Sequence, residues 1–134
     1  MDIFTSPHVL SLKKGLDAGA LRQKVIANNI ANVNTPYFKK SRVAFESILK
    51  KSLDRDSIAL NVSHPRHLGS FPQLAAVQPE VNLIEATSMR TDENNVDLDE
   101  EMTNLAANDI QFQAVGRVLS DHYSLLSLVI TGRG

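Results

Sequence analysis

The residues in this sequence that could hold a metal ion are two histidines and an acidic run. His64 and His67 carry the imidazoles that zinc favours, but Pro65 between them blocks a regular helix and no third ligand has support in the sequence. The acidic run starts at Asp92 with an asparagine in third place, and it lacks the sixth-position glycine and twelfth-position glutamate of a calcium loop. We therefore expect no metal site, and we interpret the two histidines as surface or partner-packing residues.

The sequence also lacks the motifs of common enzyme and cofactor sites. It has no cysteine, no glycine-rich phosphate loop and no Gly-x-Ser-x-Gly nucleophile motif. The N-terminus has no basic region followed by an apolar core, so we expect no cleaved secretory signal peptide and discount the glycosylation spacing at Asn61. No apolar run is long enough to cross a membrane. These observations predict a protein that is not an enzyme, with no cofactor, no small-molecule substrate and no membrane span.

Charge is distributed unevenly along the chain, although the net charge is only −1. Through Arg55 there are ten Lys or Arg residues against four acids, whereas the remainder has four Arg against eleven acids. Such segregation favours pairing of one half with the other, either inside a subunit or between subunits. The basic half could alternatively bind nucleic acid, but its lysines are not interleaved with stacking aromatics and no known reading module is present. We therefore expect protein partners and no nucleic acid.

Apolar residues at helical spacing predict a long N-terminal helix over residues 7–34. Ser6-Pro7 is a typical helix start, with serine at the cap and proline at the first helical position. From Val9 a heptad seam follows at alternating steps of three and four, through Leu12, Leu16, Gly19, Gln23, Ile26, Ile30 and Val33, in which Gly19 and Gln23 are weak members. A run of asparagines and then Pro36 oppose further helix, so the helix should end near Val33. The same seam would also suit an ordinary amphipathic helix packed on a core.

A second long helix is predicted over residues 97–131. Asp97 can cap its start, and Glu100 with the neighbouring acids places favourable negative charge in the first turn. From Leu98 an apolar seam runs to Ile130 at alternating steps of four and three, interrupted only at Asp109 and Gly116. A helix of this length spans roughly 50 Å, which a compact domain of this size cannot bury. Much of this seam therefore needs a partner.

The middle segment, residues 35–96, has the least regular pattern. Residues 45–53 have a short helical period and residues 58–62 alternate as in a strand, whereas prolines and a glycine interrupt residues 65–79. With 43% hydrophobic but only 5% aromatic residues, the composition suits helix-on-helix packing. The sequence thus predicts one mainly α unit over residues 1–134. Two long terminal helices form a coiled-coil-like pair, joined by a loosely structured middle with at most a short helix and a β hairpin.

Two motifs of this chain resemble those of bacterial flagellar basal-body rod and hook proteins. The first is Asn28-Asn29-Ile30-Ala31-Asn32-Val33-Asn34-Thr35-Pro36, followed by an aromatic residue and a lysine, and the second is Asn94-Asn95-Val96-Asp97-Leu98-Asp99-Glu100-Glu101-Met102. Their order, near opposite ends of a short chain, makes the resemblance more specific than either motif alone. Within this family, the chain most resembles the subunits of the proximal rod, in its small size, in Phe45-Glu46 and in His64-Pro65-Arg66-His67. The family usually has glycine after the proline, where this chain has Tyr37, and a positive φ costs tyrosine energy.

The resemblance implies a structural subunit of the proximal rod that self-associates through its terminal helices into a helical tube and transmits torque for motility. It implies as partners copies of itself, other flagellar rod proteins, the membrane-ring junction protein and the flagellar export apparatus. It also implies a location in the flagellum basal body, reached through the flagellum's own secretion channel. The alternative is a small helical adaptor that binds one partner and does not polymerise. The sequence leaves this alternative open because an adaptor would use the same apolar seams.

We expect the assembly interface to consist of the two seams and the asparagine motif, whose amides could bond to the backbone of a partner. In the N-terminal part the expected interface residues are Leu12, Leu16, Ile26, Asn28, Asn29, Ile30, Asn32, Val33, Asn34, Thr35 and Pro36. In the C-terminal helix they are Leu98, Met102, Leu105, Phe112, Leu119, Tyr123, Leu126 and Ile130.

Overall fold

A computed structural model describes residues 7–53, 77–85 and 90–132 of the chain. Its elements in chain order are α1 (Pro7–Ala31), β1 (Ser41–Ala44), α2 (Glu46–Leu53), β2 (Glu80–Leu83) and α3 (Leu98–Thr131). The predicted fold class is confirmed, since two long terminal helices flank a middle that contributes one short helix and one pair of antiparallel strands. The glycosylation spacing at Asn61, the alternating run at 58–62 and both His64 and His67 lie outside the described residues.

The first helix, α1, ends at Ala31, slightly before the end expected from the sequence. Its last turn is tightened, because the Asn32 and Val33 N–H groups bond to the carbonyls of Asn29 and Ile30, three residues back, at 3.1 and 3.2 Å. The Asn32 side-chain amide bonds to the Asn28 carbonyl at 2.8 Å and so competes with the backbone for a helical acceptor. The asparagines therefore stop the helix from within the motif, before Pro36 is reached.

The last helix, α3, has well-defined caps at both ends. At its start the Asp97 carboxylate accepts hydrogen bonds from the N–H groups of Asp99 and Glu100, as the sequence predicts. At its end Gly132 adopts a φ of 60°, and its N–H bonds to the Leu128 carbonyl, which is a left-handed cap that glycine allows at no steric cost. The 34 residues between these caps form one continuous helix.

The helices α1 and α3 pack against each other in antiparallel directions. Asn29 contacts Glu101 near one end of the pair, Gly19 lies against Asn108 in the middle, and further along Gly15 lies near Val115. The contact is tight at Gly19, where an added Cβ would lie only 3.0 Å from the Phe112 ring. Glycine lets this ring pack against α1 without being displaced, which explains why the N-terminal seam has no apolar side chain here.

The strands β1 and β2 form an antiparallel pair in which Ser41 lies opposite Leu83 and Ala44 lies opposite Glu80. They are not a tight hairpin, since α2 and the segment after it separate them in the chain. β1 lies against α1, while Phe45, at the junction of β1 and α2, is buried in a small core cluster with Ala18 and Val77. The sequence pattern did not indicate either strand, because each has only four residues and β2 is exposed throughout.

The C-terminal end of α3 extends beyond α1. Since Gly15 lies beside Val115, the first residue of α1 reaches only to about residue 123 of α3. The last two turns, roughly 12 Å of helix, therefore project past α1. They carry exposed apolar side chains, with Leu125 at 63% and Val129 at 81% exposure.

This geometry predicts a gradient of stability along α3 in the dilute, unassembled protein. Amide hydrogens at residues 124–131 should exchange at least about tenfold faster than those at 104–119, because only the latter are covered by α1. Hydrogen exchange followed by mass spectrometry measures both segments in one sample, so each serves as the reference for the other. Equal protection along the whole helix would show that the projecting turns do not depend on a partner.

Candidate functional site

The two asparagine motifs meet at one end of the helix pair. The segment that follows α1, up to Ser41, lies against residues 92–101, which lead into α3. We call this contact the asparagine junction, and its central side chains are those of Asn29, Asn94 and Asn95. Two of them are inaccessible to solvent, with Asn94 at 0% and Asn29 at 1% exposure. The junction therefore forms part of the interior of the subunit.

Asn94 binds the turn that follows α1. Its side-chain amide donates to the carbonyls of Asn32, Val33 and Thr35 at 2.9, 3.1 and 2.8 Å. Its Oδ1 accepts a hydrogen bond from the Val96 N–H at 2.8 Å, which fixes the orientation of the amide. The Asn32 and Thr35 carbonyls also accept from the Thr35 and Phe38 N–H groups, so the buried amide completes the hydrogen bonding of this turn and holds it against the segment that leads into α3.

The Asn29 side chain forms hydrogen bonds to the backbone of β1 in the way that a neighbouring strand would. Its Oδ1 accepts from the Ser41 N–H at 3.0 Å, and its Nδ2 donates to the Ser41 carbonyl at 2.9 Å. The same Nδ2 donates to Glu101 Oε2 at 2.9 Å. One amide therefore connects α1, β1 and α3, and it does so within a single subunit.

The link between the strands and the loop before α3 is made by Asn95. Its Oδ1 accepts from the Lys40 N–H and its Nδ2 donates to the Ile84 carbonyl, both at 2.7 Å. Close by, Tyr37 has a φ of 62°, a left-handed conformation that glycine adopts at no steric cost. Its N–H bonds to the Asp92 carbonyl at 2.8 Å, so the turn is kept with tyrosine, whose exposed side chain meets no packing conflict.

Opposite charges from the two halves of the chain pair beside the junction. Glu100, in the first turn of α3, binds Lys40 with one carboxylate oxygen and Arg42 with the other. The hydrogen bond from Lys40 lowers the pKa of Glu100 and burial opposes this, while the charges of Lys40 and Arg42 add to the lowering, so the pKa lies below its ordinary value of 4.5. The charge segregation seen in the sequence is therefore used, at least here, within one subunit.

Next to the junction a cavity of about 280 Å³ lies between α1, β1 and α3. Arg22 lies beside it and pairs with Glu46 at the start of α2 at 2.5 Å. Burial raises the pKa of Glu46, but the hydrogen bond and charge of Arg22, with backbone hydrogen bonds, outweigh this effect and hold the pKa below its ordinary value. Glu101 and Asn108 of α3 form the buried floor of the cavity.

The structure divides the predicted interface residues into a buried or half-buried set and an exposed set. Buried or half-buried side chains are those of Leu12, Leu16, Ile26, Asn29, Ile30, Asn32, Val33, Leu105, Leu119 and Leu126. Exposed ones are those of Asn28, Asn34, Thr35, Pro36, Leu98, Met102, Phe112, Tyr123 and Ile130. Asn29 and Asn32 bond within the chain, and their part in a contact between subunits stays a prediction.

A second apolar seam on α3 was not identified from the sequence. It consists of Ala114, Val118, Leu125 and Val129, spaced by four, seven and four residues, and all four are exposed. We call these residues the outer seam. Its spacing is present in the sequence, but the seam from Leu98 to Ile130 is more continuous and therefore gives the stronger helical pattern. The buried Glu101 and Asn108 were also missed, because charged and amide residues are ordinarily assigned to the surface.

Within the described ranges no group of three or more His, Cys, Asp or Glu residues is placed to hold a metal ion. Among the helices that the structure describes, none is long and apolar enough to cross a membrane.

Comparison with known proteins finds similarity to flagellar basal body rod proteins. The profile of the flagella basal body rod protein family matches residues 11–39. The chain is 35% identical over 120 residues to the flagellar basal body rod protein FlgB of Borreliella burgdorferi, covering 86% of this chain and 89% of that protein. It is 32% identical over 133 residues to FlgB of Bacillus subtilis, covering 98% of each. It is 31% identical over 127 residues to FlgB of Salmonella typhimurium, covering 90% of each.

The contacts of Asn94 predict a clear order of effects on stability. Asn94→Ala should lower the free energy of unfolding by about 1–3 kcal/mol, because the carbonyls of Asn32, Val33 and Thr35 lose a buried donor. Asn94→Asp should cost more, since a carboxylate would face those carbonyls with like partial charge. Urea unfolding measures both. Asn34, exposed in the first asparagine motif, supplies the control, and its Ala and Asp variants should stay within about 0.5 kcal/mol of the parent.

The Glu100 ion pairs predict a dependence of stability on pH. Because the pKa of Glu100 is lower in the folded than in the unfolded state, its stabilising effect is complete above pH 4.5 and is lost as pH falls through the folded pKa. Glu100→Gln should therefore be less stable than the parent at about pH 7, and the difference should shrink at about pH 3.5. Urea unfolding at both values measures this, and Lys40→Gln should reproduce the effect. If the parent and Glu100→Gln differ in free energy of unfolding by the same amount at both pH values, the Glu100 ion pairs do not stabilise the fold as described.

Proposed function

This chain belongs to the FlgB family of flagellar basal body rod proteins, and from that premise we propose that it self-associates through its terminal helices into the helical tube of the proximal rod. It is a structural protein of the flagellum basal body. In the proposal, the tube transmits torque for motility, and the subunit performs no catalysis.

The outer seam of α3 is the observation that supports self-association. Val118, Leu125 and Val129 are 54, 63 and 81% exposed, although burying side chains of this kind is worth about 1.5–3 kcal/mol each. Their heptad-like spacing matches a helical partner better than a flat surface. An α3 that binds α1 on one side and another subunit on the other would bury both seams.

Such contacts lead to a tube if they are heterologous. When one surface of a subunit binds a different surface of the next, and the rotation between them does not close a ring, the subunits form a helix. The exposed face of α3 and the outer face of α1 are two such surfaces on one subunit. Because the asparagine junction fixes how α1 and α3 lie together, each copy would present both surfaces in the same relative position.

The remaining partners are part of the same proposal. Other flagellar rod proteins would meet this subunit through the same helices, and the membrane-ring junction protein would bind at the base of the rod. The flagellar export apparatus would deliver the chain through the flagellum's own channel. A helical adaptor that binds one partner would also expose a seam, so the two functions differ in whether the protein polymerises.

Substitution in the outer seam separates the rod subunit from the adaptor. Leu125→Asp should abolish recovery of the protein in purified basal bodies, because a carboxylate would be buried in the subunit contact. A rod-deficient strain that is supplied with this variant should not regain swimming. The free subunit should unfold within about 0.5 kcal/mol of the parent, since the side chain is largely exposed there.

Ser124→Asp is the matched control, since it introduces the same charge one residue away on an exposed polar part of α3. It should leave rod recovery and swimming almost unchanged. Normal swimming of Leu125→Asp would show that the outer seam is not an assembly surface. A parent protein that stays monomeric at every concentration, yet binds a single flagellar component, would favour the adaptor.

A further inference from the structure

The cavity beside the asparagine junction has a floor with unused hydrogen-bond acceptors. Glu101 is 1% exposed; its Oε2 is bonded to Asn29, while its Oε1 has no partner among the described residues. Asn108 is 3% exposed; its Nδ2 donates to the Gly19 carbonyl at 3.1 Å, and its Oδ1 has no partner in the same part of the chain. Within the described ranges, two buried acceptor oxygens are therefore left without a donor, a condition that costs free energy and is rare in folded proteins.

Glu101 is also the one charged residue lining this cavity that has no partner of opposite charge within the described ranges. The others are paired, Arg22 with Glu46 and Arg42 with Glu100. A buried charge is stable in a protein when it meets an opposite charge and further hydrogen bonds. The chemistry that the floor lacks is therefore a cation with several N–H groups.

The shape of the cavity admits such a group from outside the subunit. Its rim includes the exposed residues Arg42, Glu46, Ala107 and Gln111, so it opens at the surface. Its volume of about 280 Å³ is many times the space needed for one water molecule. A long, flexible side chain with a charged end could pass the rim and reach the floor.

We propose that this cavity receives a lysine side chain from α1 of a second copy of the chain, which pairs with Glu101 in the assembled rod; this proposal rests on the proposed function. Lys13 and Lys24 lie on the same exposed face of α1, directed away from α3, and neither forms an ion pair among the described residues. The first half of the chain has a surplus of such cations, with ten Lys or Arg against four acids. The ammonium group has three donors and could satisfy both Glu101 Oε1 and Asn108 Oδ1.

Glu101→Gln tests the proposal because it removes the charge and keeps the size and the acceptor for Asn29. In the free subunit the urea midpoint should be unchanged or slightly higher, since an unpaired buried charge is removed. The critical concentration for assembly of the purified protein, measured by light scattering, should rise at least about tenfold. The control is Asp109→Asn, the same change of charge at an exposed position of α3, which should leave assembly unchanged.

Cross-linking of the unaltered protein locates the donor without any variant. Assemblies made from equal amounts of ¹⁴N- and ¹⁵N-labelled chains are treated with a carbodiimide, which joins a carboxylate to an amine in direct contact. Mass spectrometry should find Glu101 joined to Lys13 or Lys24, with peptides of mixed label that can only come from two copies.

The outcomes separate this inference from the proposed function. If the parent assembles and Glu101→Gln assembles at the same concentration, the cavity is filled by water and the inference is wrong, while the rod function stands. Cross-links of Glu101 found only within one chain would also overturn it. If the parent protein never self-assembles, the proposed function fails first, and the inference fails with it.

Discussion

The structure depends above all on the amide of Asn94, which binds the turn that follows α1. A turn that lies against other elements leaves carbonyl groups that water reaches only in part, and they need donors from the protein. Asn94 supplies two N–H groups to three of these carbonyls and comes from the loop just before α3. The end of one terminal helix is thereby tied to the start of the other, and the register of the pair follows from this contact.

Polar and apolar groups have unusual positions in this helix pair. The face of α3 that meets α1 buries Glu101 and Asn108, whereas apolar residues of the outer seam face solvent. Hydrogen bonds require particular distances and directions, so they define a single alignment of two helices more strictly than apolar contacts do. The subunit thus uses polar contacts for its own alignment and keeps apolar surface, which is more tolerant of geometry, on its outside.

The helices could be predicted from the sequence because their signals are local and repeated. A cap at Asp97, a seam of alternating steps and a stop of asparagines followed by proline each act within a few residues. The same sequence does not reveal that Asn94 reaches the end of α1, since the two are about sixty residues apart and asparagine is common in loops. β1 and β2 were missed for a similar reason: their pairing depends on α1 beside them, and four residues are too few for a clear period.

The bonds between Asn29 and Ser41 limit how the small sheet can grow. A free strand edge invites addition of a further strand, and β1 would have such an edge on the side away from β2. Asn29 occupies it with one donor and one acceptor, as a peptide group of a third strand would. Of the two strands that the structure describes, only β2 keeps an exposed side where an extended segment from another protein could continue the sheet. Any such addition is therefore limited to one side of the subunit.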